Sequence, residues 1–273
     1  MRPAPRILMC PPDHYGIEYE INPWMKRTLA SVRDVAWHQW RTLKDTLAGL
    51  GVAIEQLRPQ AGLPDLVFTA NAGLVFRERF FLSRFFHDVR ARESPYFDTW
   101  FREHGYDVVH LPEGMYHEGA GDALFCGDAL FAGYRTRSDV HAHQWVADQT
   151  GVRVLPLELV NPRFYHLDTC FCPLAPGDAI YYPDAFDAYG RRVLTAHVPR
   201  LLPVTEAEAH RFGCNAVVVG RSVIHNSQCP QLAEGLTQRG FTPIEVELDE
   251  FLKAGGSAKC LTLRLDGEEA APW

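Results

Sequence analysis

No stretch of this sequence approaches the 18 or so unbroken apolar residues that a membrane-spanning helix needs. Near the start, the apolar segment Ile7-Leu-Met-Cys10 is too short even for the core of a secretory signal. Low-complexity tracts and Pro-, Gly- or Ser-rich linkers are missing. There is no basic excess: 27 Lys and Arg against 34 Asp and Glu leave a formal charge of -7, which argues against nucleic acid or a membrane surface as partner. A Gly-Lys-Ser/Thr phosphate loop is absent too. The seven cysteines are odd in number and lack the spacing of a disulfide framework, so they are read as reduced thiols of a cytoplasmic protein. Their one close pair, Cys170-x-Cys172, has no further ligands at zinc spacing, so core packing is expected there and no metal or cofactor is implied. What is present is an ordinary globular composition, 47% hydrophobic over 273 residues, enough to bury a full core.

The chain is organised by repetition. Apolar spacing and punctuation predict helices over Ser31 to Leu50 (with Gly51 as a left-handed stop), from a Ser94 cap to Gly105, from Ser138 to Gly151, from a Thr205-Glu-Ala-Glu208 capping box to near Gly213, and from Pro230 to Gly240. Pairs of short apolar runs broken by turn residues lie between them, and a single strand follows most helices. Polar or reactive residues at the heads of these hairpin–helix–strand units, Asn71, Glu118, His166, Cys214 and Cys260, are separated by 47, 48, 48 and 46 positions. A period of that length means a ring or array of like supersecondary units. The last unit stops soon after Cys260, but the strand Ile7 to Cys10 can complete it, closing five units head to tail in one domain over residues 1–273. Equivalent strand starts in a ring converge on its centre, so an amide, a carboxylate, an imidazole and a thiol would meet there.

Each of these residues has two readings. Cys260 follows a glycine-rich loop, Lys253-Ala-Gly-Gly-Ser-Ala-Lys259; it is either a buried strand cysteine or an exposed nucleophile whose thiolate the adjacent Lys259 favours. His166, two positions before Asp168, is either a satisfied histidine or an acid/base flanked by a carboxylate on the same strand face. Glu118 opens Glu118-Gly-Ala-Gly-Asp122, where it can hold His166 or grip a cation. Asp65 and Asn71 bracket Pro64 to Asn71 and are either turn residues or part of the same site. An anion-rich centre with a thiol suits a guanidinium, which is planar, always charged, and pairs with carboxylates in a fork.

At these motifs the sequence resembles the guanidino-modifying superfamily, the penteins, which includes arginine deiminase, dimethylarginine dimethylaminohydrolase, glycine amidinotransferase and the arginine and succinylarginine dihydrolases. The resemblance runs from Met9-Cys-Pro-Pro-Asp13 and Ile21-Asn-Pro-Trp-Met25, through Glu118 to Asp122 and Phe164-Tyr-His-Leu-Asp-Thr-Cys-Phe-Cys-Pro173, to Gly255 to Leu263. It implies an α/β fold, a five-bladed α/β propeller of pseudo-fivefold repeated ββαβ units. Cys260 then resembles the nucleophile, His166 the acid/base, Glu118 the carboxylate that orients it, and Asp168 a guanidinium ligand. Arg90 and Arg137 match the arginines for a substrate α-carboxylate, and Asn22, Asp65 and Asn71 are expected on the substrate side. Asn71 is the departure from deiminases, which have an aspartate there; Thr69-Ala-Asn-Ala72 resembles the dihydrolases, in particular the arginine dihydrolase module of cyanobacterial two-domain enzymes. The expected activity is therefore that of a hydrolase on C–N bonds of linear amidines, with a small-molecule guanidino substrate, arginine before its methylated or acylated forms. A dimethylarginine hydrolase, a deiminase and an amidinotransferase are the nearer alternatives. A non-catalytic ribosome-binding propeller is the remote one, and the cysteine–histidine–carboxylate set argues against it. Self-association into a homo-oligomer is left open.

Overall fold

Each hairpin begins where two apolar runs face one another across a two-residue turn. In the first, β3 (Gly73–Phe76) returns as β4 (Arg79–Leu82), and Arg77 adopts a left-handed φ of 56° at the turn. The hairpin of β6 (Ala123–Cys126) and β7 (Ala129–Tyr134) meets the same demand with Gly127, at no steric cost. The structure is a computed structural model that describes residues 4–267; the outermost ends of the expected 1–273 domain lie outside the described residues.

The remaining strands are β1 (Arg6–Met9), β2 (Ala53–Gln56), β5 (Asp107–His110), β8 (Arg153–Glu158), β9 (Phe171–Ala175), β10 (Asp178–Tyr181), β11 (Arg200–Pro203), β12 (Val217–Val219), β13 (Ser222–Asn226), β14 (Thr242–Val246) and β15 (Leu263–Arg264). Among the described residues, the strands form five three-stranded sheets. In each, the first strand pairs antiparallel with the second, and the second pairs parallel with the third. The parallel step needs a crossover, and a long helix spans it in every unit: α1 (Arg33–Gly49), α2 (Ser94–Glu103, preceded by the single helical turn Asp88–Ala91 that carries Arg90), α3 (Val140–Thr150), α4 (Ala188–His197) and α5 (Pro230–Gln238). The fold is the ββαβ repeat expected from the 46-to-48-residue period, and ring closure follows the expected route: β1, from the start of the chain, pairs with β15 from its end.

Burial separates the strands by position. First strands such as β3 and β6 are buried throughout, whereas third strands such as β2 and β11 are half exposed. First strands therefore line the centre and third strands the rim. The helices close the outside; α1 turns Ala36, Trp40, Leu43 and Leu47 inward at helical spacing.

Two helical expectations are corrected. The capping box at Thr205 starts only one turn, Glu206–Ala209, and Thr205 accepts from the backbone N–H of Glu208 as expected. The Glu208 carboxylate, however, turns away to accept from the N–H groups of Gln231 and Leu232, so it caps the first turn of α5. The helix of that unit is α4, begun by Asp187, whose side chain accepts from Gly190 N–H. At α2, Ser94 does not cap; its hydroxyl donates to the carbonyl of Ser83.

Candidate active site

Short 3-10 turns precede the inner strands and set the side chains of the centre. They span Thr69–Ala72, Gly119–Gly121 and Leu167–Thr169. Gly121 allows two of these turns to meet. A side chain there would collide with the Asn71 amide nitrogen and touch the His166 ring at 3.5 Å. The site's tightest approach thus depends on a missing Cβ.

A narrow cavity of about 10 Å³, room for little more than one water, opens at this point, lined by Ile21, Asn22, Met25, Asp65, Phe68, Asn71, Arg90, Arg137, Tyr165, Ala254 and Cys260. It carries both signs of charge, which suits a ligand that is itself a zwitterion. Glu118 and Asp168 adjoin it through hydrogen bonds to Arg137 and Cys260 of its wall, and His166 stands behind Glu118. His166 is buried, and its Nε2 lies 2.7 Å from Glu118 Oε2. An ionised carboxylate can only accept, so Nε2 carries the proton and donates. Burial lowers the His166 pKa to about 4 against the opposing pull of Glu118. The imidazole is therefore neutral near pH 7, and Nδ1, which has no hydrogen-bond partner among the described residues, holds a lone pair ready for a proton. Burial alone would raise the Glu118 carboxyl, but Arg137 and the His166 hydrogen bond outweigh it and hold it well below the usual range. Glu118 also accepts from Arg137 Nη1 at 3.1 Å and from Phe86 N–H at 3.1 Å, which fixes both of its oxygens.

The Cys260 thiol is buried, 3.3 Å from Asp168 Oδ2 and 3.1 Å from Asn215 Nδ2. Burial, and then the charge of Asp168, push its pKa well above that of a free thiol. This corrects the expectation for Lys259, whose side chain lines a different cavity with Cys172, Val217 and Arg264. It also corrects the picture of His166 and Asp168 as neighbours on one strand face: His166 precedes a 3-10 turn that contains Asp168, and one side chain goes to Glu118 and the other to the thiol.

The other expected residues are drawn in as well. Asn22 donates to the Ala254 carbonyl at 3.0 Å and accepts from the backbone N–H groups of Trp24 and Met25. Asp65 is buried and accepts from Tyr19 Oη at 3.0 Å; burial raises its pKa, against the pull of Arg90. Arg137 donates to the Ile21 carbonyl and stacks over the Tyr165 ring at 4.8 Å. Arg90 Nη1 donates to Asn71 Oδ1 at 2.8 Å.

Sequence reasoning missed Asn215. The periodic count points to Cys214, whose thiol packs in the hydrophobic core with Cys170 and Cys172, and it is the next residue that faces the centre. Asn215 holds three groups at once: Cys260 Sγ, the Cys260 backbone N–H and the Asp168 carbonyl. Its signal was one position away from the period. Tyr165, inside a quoted motif but given no role, lines the cavity and donates to the Gly255 carbonyl at 2.6 Å. All seven cysteines are free thiols. Among the described residues no group of three or more His, Cys, Asp or Glu is placed to hold a metal ion, and no helix is long and apolar enough to cross a membrane.

A buried thiol, a neutral imidazole held by a carboxylate, and a cavity with acids and arginines can carry out nucleophilic substitution at a cationic carbon. Comparison with known proteins points the same way. The family profile described as N,N dimethylarginine dimethylhydrolase, eukaryotic, matches residues 17–266. The bifunctional arginine dihydrolase/ornithine cyclodeaminase of Synechocystis is 49% identical over 95% of this chain, which spans only 37% of that protein's length. The N(G),N(G)-dimethylarginine dimethylaminohydrolase of Mycobacterium tuberculosis is 40% identical, over 95% of this chain and 85% of its own. The crystal structure of the N-terminal domain of a cyanobacterial arginine dihydrolase, bound to substrate, superimposes with a TM-score of 0.93 at 47% identity, covering 96% of this chain and 98% of that one.

Proposed function

The chain belongs to the N,N-dimethylarginine dimethylhydrolase family, and on that premise we propose that residues 1–273 act as one catalytic unit, an arginine dihydrolase. The reaction converts L-arginine and two waters into L-ornithine, two ammonia and carbon dioxide. The observation that carries this reading is Asn71: an amide, not a second carboxylate, stands in the cavity wall beside His166, with its oxygen taken by Arg90.

The guanidinium lies between Asp168 and Asp65, and Arg137 receives the α-carboxylate. Arrival of that cation beside Cys260 offsets the burial and the Asp168 charge that keep the thiol protonated. The thiol proton passes to His166 Nδ1, sulfur bonds to the guanidinium carbon, and ammonia leaves with the proton from His166. Water, activated by the same nitrogen, releases the sulfur and leaves a ureido group. In the second round sulfur attacks the ureido carbon and ammonia leaves again. Water then yields a carbamate, which loses carbon dioxide to give ornithine. Over both rounds His166 begins and ends neutral, as its lowered pKa favours.

The two rounds place opposite demands on residue 71. The first substrate is cationic and the second neutral, with an oxygen that needs a donor. An amide serves both, whereas a carboxylate offers only acceptors and favours release after one step. With its Oδ1 engaged by Arg90, Asn71 presents chiefly its NH₂ group, so the second step gains most.

A second reading, dimethylarginine hydrolysis to citrulline and dimethylamine, is favoured by the family match over residues 17–266. One assay separates them: incubate the protein with arginine, dimethylarginine and succinylarginine, and count ammonia, amine, citrulline and ornithine. Two ammonia per ornithine from arginine, abolished by Cys260→Ala, is the expected result; dimethylamine as the main product would replace the first reading with the second. Asn71→Asp should move the product toward citrulline, and an unchanged ornithine-to-citrulline ratio would count against the role given to the amide.

A further inference from the structure

Glu93 lies just ahead of α2, where an acidic side chain ordinarily accepts from the free N–H groups of the first turn. It makes no such bond. Its fully buried carboxylate turns inward, and its two oxygens accept from Nε and Nη2 of Arg90, both at 2.8 Å. We propose that Glu93 is a positioning residue of the active site: its carboxylate fixes the plane of the Arg90 guanidinium and, through Arg90, the orientation of the Asn71 amide. The link to catalysis rests on the arginine dihydrolase reading above.

The donor inventory of Arg90 makes the case. A guanidinium has five N–H groups in one plane. The Nε proton and one Nη2 proton go to Glu93, the second Nη2 proton goes to the Asp65 carbonyl at 3.2 Å, and one Nη1 proton goes to Asn71 Oδ1 at 2.8 Å. One Nη1 proton is left, so Arg90 has a single hydrogen bond to give a ligand. One face of the plane is covered by the Phe85 ring, 4.6 Å away. A fork requires coplanarity, so Glu93 stops rotation about the Arg90 side chain. That keeps a donor aimed at Asn71 Oδ1, which in turn directs the Asn71 NH₂ toward the Glu118 carbonyl, 3.5 Å away, at the junction closed by Gly121. Without the fork, Arg90 is free to turn and the amide to flip. A flipped Asn71 shows its oxygen where the neutral ureido intermediate needs a donor, so the second step fails before the first.

The test uses the full chain with L-arginine and the variants Glu93→Gln and Glu93→Asp. Glu93→Gln cannot form the charged fork; it should raise the citrulline share of product about fivefold and KM for arginine about tenfold, with kcat for the first ammonia within about threefold. Glu93→Asp keeps the charge and should recover part of the product ratio. Combining Glu93→Gln with Arg90→Lys should be no worse than Arg90→Lys alone, because Glu93 acts through Arg90. A folded Glu93→Gln with wild-type KM and product ratio overturns the proposal, as do additive losses in the double variant; if Glu93→Gln does not fold, Glu93→Asp decides, because its shorter side chain weakens the fork: a raised citrulline share supports the proposal and a wild-type ratio overturns it. A wild-type protein that leaves arginine untouched overturns the activity reading instead. The positioning claim is then read from the Arg90 Nε–H resonance, which the fork should protect from exchange and Glu93→Gln should expose; equal exchange in both sinks it.

Discussion

A thiol buried against a carboxylate is a weak nucleophile until positive charge arrives beside it, and at Cys260 the only side-chain donor within hydrogen-bond reach in the described structure is Asn215 Nδ2, at 3.1 Å. The amide also anchors the Cys260 backbone and the Asp168 carbonyl, so it aligns nucleophile and acid together. Asn215→Asp keeps the acceptor for the Cys260 N–H and replaces the donor with a second negative charge. A hydrogen bond to a charged group contributes about 1.5–3 kcal/mol, so kcat/KM for arginine should fall roughly tenfold to a hundredfold. The alkaline shift of the thiol should move the rate of iodoacetamide labelling to higher pH as well. Wild-type labelling and turnover would show that the thiolate draws no support from residue 215. That the count of the repeat stopped at Cys214 has a physical cause. A period in sequence locates the head of a unit, but side-chain direction is decided by the local backbone, here a turn entered through Phe212 at a left-handed φ of 59°.

Elements were legible where their inner face is apolar at regular spacing, and α1, with Ala36, Trp40, Leu43 and Leu47, is such a case. The helix α4 escaped notice because only Gly190 and Leu194 of its ten residues are buried, so almost no hydrophobic period remains to be seen. In contrast, α3 shows how an element is tied to the site by a polar core contact. His143 on α3 has its Nε2 2.7 Å from the carbonyl of Gly133 in β7, next to His117, which precedes Glu118. Burial lowers the His143 pKa to about 4 from an ordinary 6.5. A folded-state pKa below the unfolded one means the unfolded chain takes the proton first. The stabilisation is therefore whole above pH 6.5 and is lost as pH falls toward 4. Compared with His143→Asn, the wild type should lose about 3 kcal/mol of unfolding free energy between pH 7 and pH 4. Parallel urea-derived stabilities for the two proteins across that range would show that the ring is not held neutral.

At the scale of the whole molecule the site and the ring closure are one structure. The residues at the heads of the units bond to the heads beside them: Asn71 Nδ2 to the Glu118 carbonyl, Leu167 N–H to Asp122, Asn215 to Asp168, Cys260 N–H to Asn215, and Ala70 N–H to the Cys260 carbonyl. The ring of five could be read in advance because the reactive residues recur with the units; these bonds could not, since they run between segments whose rotation about the centre no linear pattern encodes. Their consequence is that the cavity cannot loosen without loosening the closure. Thr69 offers a probe outside the chemistry: its hydroxyl donates to the carbonyl of Leu8 in β1 at 2.9 Å, joining the first full unit to the strand that completes the last. Thr69→Val keeps the shape and leaves that buried carbonyl short of a donor, at a cost of about 1–3 kcal/mol. Thr42→Val removes a comparable hydroxyl from the exposed face of α1 and should change stability by no more than about 0.5 kcal/mol. In urea, loss of helical signal and exposure of the Cys260 thiol should occur in one transition for wild type and Thr69→Val alike, with the midpoint lowered in the latter. A thiol that opens at much lower urea than the helices melt would mean that the centre moves independently of the ring.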